Sequence, residues 1–131
     1  MRPRAALAVA ALLTLTAAGP AAAARSGAPL PERRLFLTVS GSANTWIRGV
    51  ELICPPAPDA RHPEAAAACA AIDEAAGDLD DLPRDPHLCT KVYDPVTATA
   101  TGKWDGRPVA WRKTFPNACE LDVATGPVFR F

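Results

Sequence analysis

Histidine is scarce in this sequence, and its scarcity argues against an enzyme. There are only two histidines, His62 and His87, whereas a serine hydrolase needs one held between a nucleophile and an acid. His62 precedes a proline placed to start a helix, so we interpret it as a cap or surface residue. His87 lies in a loop rich in proline and aspartate. No G-x-S-x-G, phosphate-loop or dinucleotide-binding pattern is present, and we predict a protein that is not an enzyme and needs no cofactor.

An excess of charge of either sign is also lacking. The chain has 14 basic and 14 acidic residues and a formal net charge of +0. Proteins that bind nucleic acid carry a basic surface, and attraction to an anionic membrane likewise needs clustered positive charge. The composition therefore predicts no nucleic-acid partner and no membrane partner.

No apolar run is long enough to span a membrane. The run Ala5–Leu15 is shorter than the roughly 20 residues that a spanning helix needs, and Gly19-Pro20 prevents its extension. Arg2 and Arg4 precede this run and Ala21–Ala24 follow it, which is the pattern of a secretory signal peptide with its cleavage site. We therefore expect a secreted, extracellular protein.

The expected cleavage divides the chain into three parts. Residues 1–24 are the predicted signal peptide, and residues 25–34, which are rich in proline, glycine and alanine, are a predicted flexible arm. Residues 35–131 remain as one domain, because their number is close to the usual size of a single domain.

The four cysteines all lie in the part that we expect to be exported, where cysteines normally form disulfides. Cys54, Cys69, Cys89 and Cys119 are separated by 15, 20 and 30 residues. These spacings contain no C-x-x-C pair, and the two histidines are not spaced as zinc ligands, so no metal site is predicted. Two disulfides are expected, and the spacings alone do not choose among the three possible pairings.

The hydrophobic pattern predicts a sheet with at least one helix. A helix is expected from Pro63, which suits a first helical position, to Gly77, which suits a helix end. Cys69 lies on its apolar stripe, where a bridge to Cys54 would pin the helix to a strand end. Asp105-Gly106 predicts a two-residue hairpin turn. Five strands are expected in an α+β fold, namely Leu35–Val39, Ile47–Ile53, Val96–Trp104, Arg107–Phe115 and Val128–Phe131.

A short loop is enclosed between Cys89 and Pro95. Proline restricts the backbone at one end and a disulfide cysteine fixes the other, so this stretch has little conformational entropy left to lose when it binds a partner. Lys91 and Tyr93 lie within it. The enclosure distinguishes Lys91 from an ordinary solvated lysine.

Several motifs of the chain resemble the Streptomyces-type subtilisin inhibitor family, in family order and with the family's cysteine spacings. The most specific combination is V-Y-D-P-V after a cysteine, an N-x-C and a terminal V-F-x-F. The resemblance extends from about Leu35 to the C-terminus. Its motifs are C-P-P at 54–56, H-P-E-A-A-A-A-C at 62–69, G-D-L at 77–79, C-x-x-V-Y-D-P-V at 89–96, G-x-W-x-G at 102–106, T-F-x-N-x-C-E-L at 114–121 and V-F-x-F at 128–131.

For the fold, the resemblance implies a five-stranded antiparallel sheet with two helices packed on one face. It implies two disulfides, Cys54–Cys69 and Cys89–Cys119, and a second helix near Leu121–Thr125. It also implies a homodimer in which two sheets pack face to face.

For the function, the resemblance implies a standard-mechanism inhibitor of trypsin-like or subtilisin-like serine proteases, with Lys91–Val92 as the reactive bond. Asn117 is implied to support the loop from behind. The alternative is a secreted binding or structural module that kept the fold without tight inhibition. The loop residues implied to contact the protease are Cys89, Thr90, Tyr93 and Asp94.

Two residues depart from the family pattern. Thr90 stands where many members have proline, and threonine favours an extended backbone through β-branching but fixes φ less tightly. Pro116 is also unusual, and it removes one backbone donor from the segment that supports the loop. Both changes bear on how rigid the loop is.

Overall fold

The computed structural model describes residues 29–131, together with residues 19 and 27. Apart from residue 19, the predicted signal peptide of residues 1–24 lies outside the described residues, as does part of the predicted arm of residues 25–34. No helix in the described part of the chain combines the length and the apolar character needed to cross a membrane.

One antiparallel sheet forms the centre of the fold. Its strands are β1, Arg34–Ser40; β2, Ile47–Ile53; β3, Val96–Trp104; and β4, Arg107–Phe115. The order across the sheet is β2-β1-β3-β4, so β1 and β3 are central and two hairpins lie side by side. Each of these strands lies within about a residue of its predicted bounds, which is the usual disagreement at element ends.

One face of the sheet is covered and the other is open. In β1, Leu35, Leu37 and Val39 are buried, whereas Phe36 keeps 52% of its surface exposed. Neighbouring residues of a strand point to opposite faces. The alternation therefore places the core on one side of the sheet only.

Two helices pack on the covered face, as expected. They are α1, Ala65–Glu74, and α2, Ala118–Thr125. The disulfide Cys54–Cys69 joins α1 to the end of β2, and Cys69 lies on the buried side of the helix. α2 is longer than the implied helix at Leu121–Thr125, because its first turn starts directly after Asn117.

His62 and Gly77 lie close to the two ends of α1, whose caps are Glu64 and Ala75. His62 is buried, and its Nδ1 accepts a hydrogen bond from the backbone N–H of Glu64 at 3.0 Å. Its Nε2 therefore carries the proton and donates to the Val128 carbonyl at 2.9 Å. The N-cap of α1 is Glu64 and no side chain caps the helix, so His62 supports the turn that precedes α1, and neither the predicted capping role nor the predicted surface position is found. Gly77 has a φ of 84°, and its N–H donates to the Ile72 carbonyl at 2.9 Å, which ends the helix as predicted.

The fifth predicted strand, Val128–Phe131, is wrong. Its first residues belong to a C-terminal 3₁₀ helix, Gly126–Phe129. Val128 and Phe129 are adjacent and both buried, which a strand with one open face does not allow because neighbouring side chains point to opposite sides. Pro127 also lacks the N–H that a sheet ladder requires. The sheet of residues 29–131 therefore has four strands.

Two glycines with positive φ shape the hairpin of β3 and β4. Asp105 and Gly106 form its two-residue turn with φ of 50° and 76°, as a type I′ turn requires. Gly102, inside β3, has a φ of 142°, and a Cβ there would lie 2.1 Å from the carbonyl oxygen of Arg34 in β1. A Cβ at Gly106 would meet open space. A side chain at Gly102 would thus force the two central strands apart.

We expect Gly102→Ala to destabilise the fold far more than Gly106→Ala. The Gly106 variant carries only the strain of positive φ, about 1–2 kcal/mol. The Gly102 variant adds a clash with backbone that has no rotamer to escape into, for a total of roughly 3 kcal/mol or more. Urea unfolding of the parent and both variants measures the change in unfolding free energy. Equal losses would mean that the pairing of β1 with β3 tolerates a side chain there.

Candidate functional site

The segment that leads into β3 forms an exposed loop. Residues 86–95, which we name the exposed loop, contain neither helix nor strand. Within it Leu88 is 100% exposed, Tyr93 79% and Val92 59%, and Lys91 is exposed as well. Apolar side chains grouped in this way on a small domain are typical of a surface that binds a partner.

A disulfide ties the exposed loop to α2. Cys89 is bonded to Cys119, which lies in the first turn of that helix, and their Cα atoms are 5.7 Å apart. Together with Cys54–Cys69, the structure therefore contains both disulfides that the resemblance implies. The bond keeps the backbone of the loop close to the start of α2.

Asn117 lies directly behind the exposed loop and contacts it with its side-chain amide. Its Nδ2 donates to the Val92 carbonyl at 2.8 Å and, more weakly, to the Thr90 carbonyl at 3.4 Å. Its Oδ1 accepts the N–H of Glu120 at 2.9 Å and so caps α2. Asn117 is buried. One side chain thus begins the helix and holds the loop.

The Asn117 contacts lie on both sides of Lys91. The same side chain holds the carbonyl before Lys91, that of Thr90, and the carbonyl after it, that of Val92. The backbone on either side of Lys91 is therefore attached to one buried residue.

The far end of the exposed loop is held through backbone and hydroxyl groups. The Asp94 N–H donates to the Pro116 carbonyl at 2.9 Å, and Ser42 Oγ donates to the Pro95 carbonyl at 3.4 Å. Pro116 has no N–H of its own, but this contact uses its oxygen. The proline that departs from the family pattern therefore still serves as a loop anchor.

Leu88 is a candidate functional residue that the sequence analysis does not identify. It directly precedes the loop cysteine, and its full exposure places an apolar side chain in solvent. The available signal is an apolar residue next to Cys89 in an otherwise polar segment. The predicted contact residues Thr90, Tyr93 and Asp94 lie in the same exposed stretch.

A cluster beside the loop has the composition of a metal site, but an arginine occupies it. Asp85, His87 and Asp122 place their ligand atoms within 4.8 Å of one another. The guanidinium of Arg130 donates from Nε to Asp122 at 2.6 Å and from a terminal nitrogen to Asp85. The cluster is therefore an ion-pair network in this structure.

Curated proteins with similar sequences are named as protease inhibitors. Subtilisin inhibitor-like protein 4 of Streptomyces lavendulae is 43% identical over 102 residues, which cover 74% of this chain and 88% of that protein. Kexstatin-1 of Streptomyces platensis is 37% identical over 124 residues, which cover 90% of this chain and 86% of that protein.

The fold is also similar to that of a solved structure, Streptomyces caespitosus sermetstatin in complex with Bacillus licheniformis subtilisin. The TM-score is 0.58 with 32% sequence identity, and the match covers 76% of this chain and 98% of that chain. The family described as Subtilisin inhibitor-like matches residues 32–117. On the matched residues, the sequence identities and the shared fold, this chain belongs to the Subtilisin inhibitor-like family.

Proposed function

We propose that this protein is a secreted standard-mechanism inhibitor of serine proteases, with Lys91–Val92 as its reactive bond. The observation that carries the proposal is the exposed loop, whose side chains face solvent while Cys119 and Asn117 hold its backbone. A relative of the same fold is bound to subtilisin in its solved structure. Relatives named as inhibitors also argue against catalysis by this chain itself.

In the proposed mechanism the protease serine attacks the carbonyl carbon of Lys91. A new C–O bond forms, the C–N bond to Val92 breaks, and the proton taken from the serine passes to the leaving nitrogen. In an ordinary substrate this amine diffuses away. Here Asn117 holds the Val92 carbonyl and Pro116 holds the Asp94 N–H. The amine stays next to the acyl group, so religation competes with hydrolysis.

The disulfide and the hydrogen bonds contribute to this rigidity in different ways. Closing a loop over 30 residues removes conformational entropy from the unfolded chain, a stabilisation of roughly 3 to 4 kcal/mol. A single hydrogen bond contributes about 1 kcal/mol net, but it selects one backbone geometry among those that the disulfide allows. A loop ordered before binding has less entropy to lose in the complex, which favours tight inhibition.

Lys91 favours a trypsin-like target. Its ammonium suits a specificity pocket that contains a buried aspartate, as in trypsin. Subtilisin-like enzymes have a broader and less charged pocket, so the apolar stem of Lys91 suffices there. Leu88 and Tyr93 would add apolar contact on either side in both cases.

We also propose that two chains pair through the open face of the sheet. Phe36, in the central strand β1, lies on this open face and is half exposed. Around it the Thr38 and Thr99 hydroxyls lie 2.5 Å apart and those of Thr97 and Thr114 lie 2.8 Å apart. Because these hydroxyls bind each other, covering them in an interface costs less than covering unpaired hydroxyls. Such a face suits the isologous contact of a two-fold dimer.

We expect Lys91→Glu to abolish inhibition of trypsin, and Lys91→Met to weaken it sharply while inhibition of subtilisin remains. Loss of a charged anchor at the centre of an interface costs roughly 4 to 8 kcal/mol, or at least about a thousandfold in the inhibition constant. Inhibition constants against both enzymes measure the effect. In long incubations, slow cleavage should produce a new N-terminus at Val92.

The matched control is Lys103→Met, since Lys103 is another exposed lysine but lies in β3. It should leave both inhibition constants unchanged. If Lys91→Glu inhibits trypsin as tightly as the parent, the reactive bond is elsewhere. Rapid cutting of the parent without inhibition would favour the binding or structural module instead.

We expect Asn117→Asp to separate loop support from helix capping. The carboxylate still accepts the Glu120 N–H, but it repels the carbonyls of Thr90 and Val92 that the amide nitrogen holds in the parent. The thermal midpoint should change little, while trypsin should cleave the Lys91–Val92 bond about tenfold faster. Asn117→Ala removes both contacts and should also lose about 1 kcal/mol of stability. Parental cleavage rates in Asn117→Asp would assign this residue to capping alone.

We expect the protein to sediment with the mass of two chains at micromolar concentration. Phe36→Lys should convert it to a monomer, because a charge would be buried at the centre of the shared face. Tyr93→Lys makes the same change at an aromatic residue outside the sheet and should leave the dimer intact. Analytical ultracentrifugation distinguishes the two masses, and a monomeric parent would refute the pairing.

A further inference from the structure

Arg130 lies just after the C-terminal 3₁₀ helix and brings together acidic residues from three segments. Its Nε donates to Asp122 Oδ1 at 2.6 Å, and a terminal nitrogen donates to Asp122 Oδ2 at 3.0 Å. The same terminal nitrogen is bonded to Asp85, and the other lies 3.8 Å from Glu64. A planar guanidinium with five N–H donors holds two carboxylates in fixed geometry, which an ammonium does not.

Asp85 belongs to the stretch of chain that enters the exposed loop. This incoming limb, residues 85–88, consists of Asp85 and the first three residues of the exposed loop, and it ends where the disulfide begins at Cys89. The Asp85 N–H donates to the Val123 carbonyl of α2 at 2.9 Å, and the Asp85 carbonyl accepts from His87 Nδ1 at 2.9 Å. His87 Nε2 in turn lies 3.5 Å from Asp122 Oδ2. These contacts hold the incoming limb next to α2.

We propose that Arg130 is a positioning residue for the exposed loop, because it holds Asp85 against Asp122 and so fixes the incoming limb on α2. This inference rests on the proposed function, in which the Lys91–Val92 bond must be held still in the protease. The disulfide and Asn117 hold the loop at Cys89 and beyond it. Arg130 supplies the corresponding contact before the cysteine.

The ion pair of Arg130 with Asp85 favours the charged forms of both side chains. The hydrogen bond from Arg130 is the main cause that lowers the pKa of Asp85 below its ordinary value. Hydrogen bonds to Asp122 and then Asp85 raise the pKa of Arg130. All three side chains are partly exposed, Arg130 by 33% and Asp85 by 53%. Exposed ion pairs contribute little to global stability. Loss of Arg130 is therefore expected to make the incoming limb less ordered, with little effect on the free energy of unfolding.

Arg33 provides a matched control. It also pairs with two aspartates, Asp105 at 2.5 Å and Asp73 at 2.9 Å, and its side chain is 30% exposed. Its partners lie in α1 and in the turn of the β3-β4 hairpin, neither of which contributes to the exposed loop. Removing Arg33 therefore breaks the same kind of ion pair but leaves every contact of the incoming limb in place.

The experiment compares Arg130→Met with Arg33→Met. Both variants should have similar thermal midpoints, but trypsin should hydrolyse the Lys91–Val92 bond about tenfold faster in Arg130→Met only. Arg130→Lys should recover part of the difference, because an ammonium retains the charge but does not bridge both carboxylates. A cleavage rate in Arg130→Met equal to the parent's would overturn the inference.

Amide hydrogen exchange at His87 and Leu88 in the free protein tests the same inference without a protease. We expect faster exchange in Arg130→Met than in the parent, and parental exchange in Arg33→Met. If the parent does not inhibit proteases, the proposed function fails, yet the exchange rates still decide whether Arg130 orders the limb. Unchanged exchange in Arg130→Met, or an equal increase in Arg33→Met, would refute the role.

Discussion

The side-chain amide of Asn117 is the interaction on which the geometry of the exposed loop depends. Its oxygen accepts the Glu120 N–H at the start of α2, and its nitrogen donates to the carbonyls of Val92 and Thr90. An amide is planar, so a fixed oxygen also fixes the nitrogen. The position at which a helix begins thereby determines where the loop backbone lies. A carboxylate in this place would satisfy only one of the two ends, because it accepts hydrogen bonds but does not donate them.

Most of the fold is predictable from the sequence because its strongest signals are local. Alternating strands, the apolar stripe of α1 and the Asp105-Gly106 turn are recognisable from near neighbours in the chain. The segment Val128–Phe131 is misassigned because its burial depends on distant partners. Val128 accepts a hydrogen bond from His62, a contact that no local pattern indicates. The same contact explains why the histidine is buried.

In the candidate site, too, the features set by neighbouring residues are predictable from the sequence, and those set by distant contacts are not. Cys89 and Pro95 enclose Lys91 in the sequence, so the loop is recognisable from the order of residues alone. That the side chain of Asn117 reaches the loop follows only from the family resemblance, since nothing in the local pattern indicates it. Arg130 gives no signal at all, because Asp85 and the residues of α2 meet it only in the folded chain. Ion pairs between segments remote in sequence have no periodicity to detect.

From Cys89 onward, the exposed loop is held mainly through its own backbone carbonyl and N–H groups and one disulfide. Asn117 binds carbonyl oxygens, Pro116 binds an amide hydrogen, and the one side chain in covalent use is that of Cys89. The side chains of Thr90 and Lys91 face solvent and contribute nothing to these contacts. The support is therefore indifferent to which residue occupies position 91. In the proposed mechanism, stability and choice of target are therefore encoded by separate residues, so one substitution at position 91 would redirect the protein without rebuilding the domain.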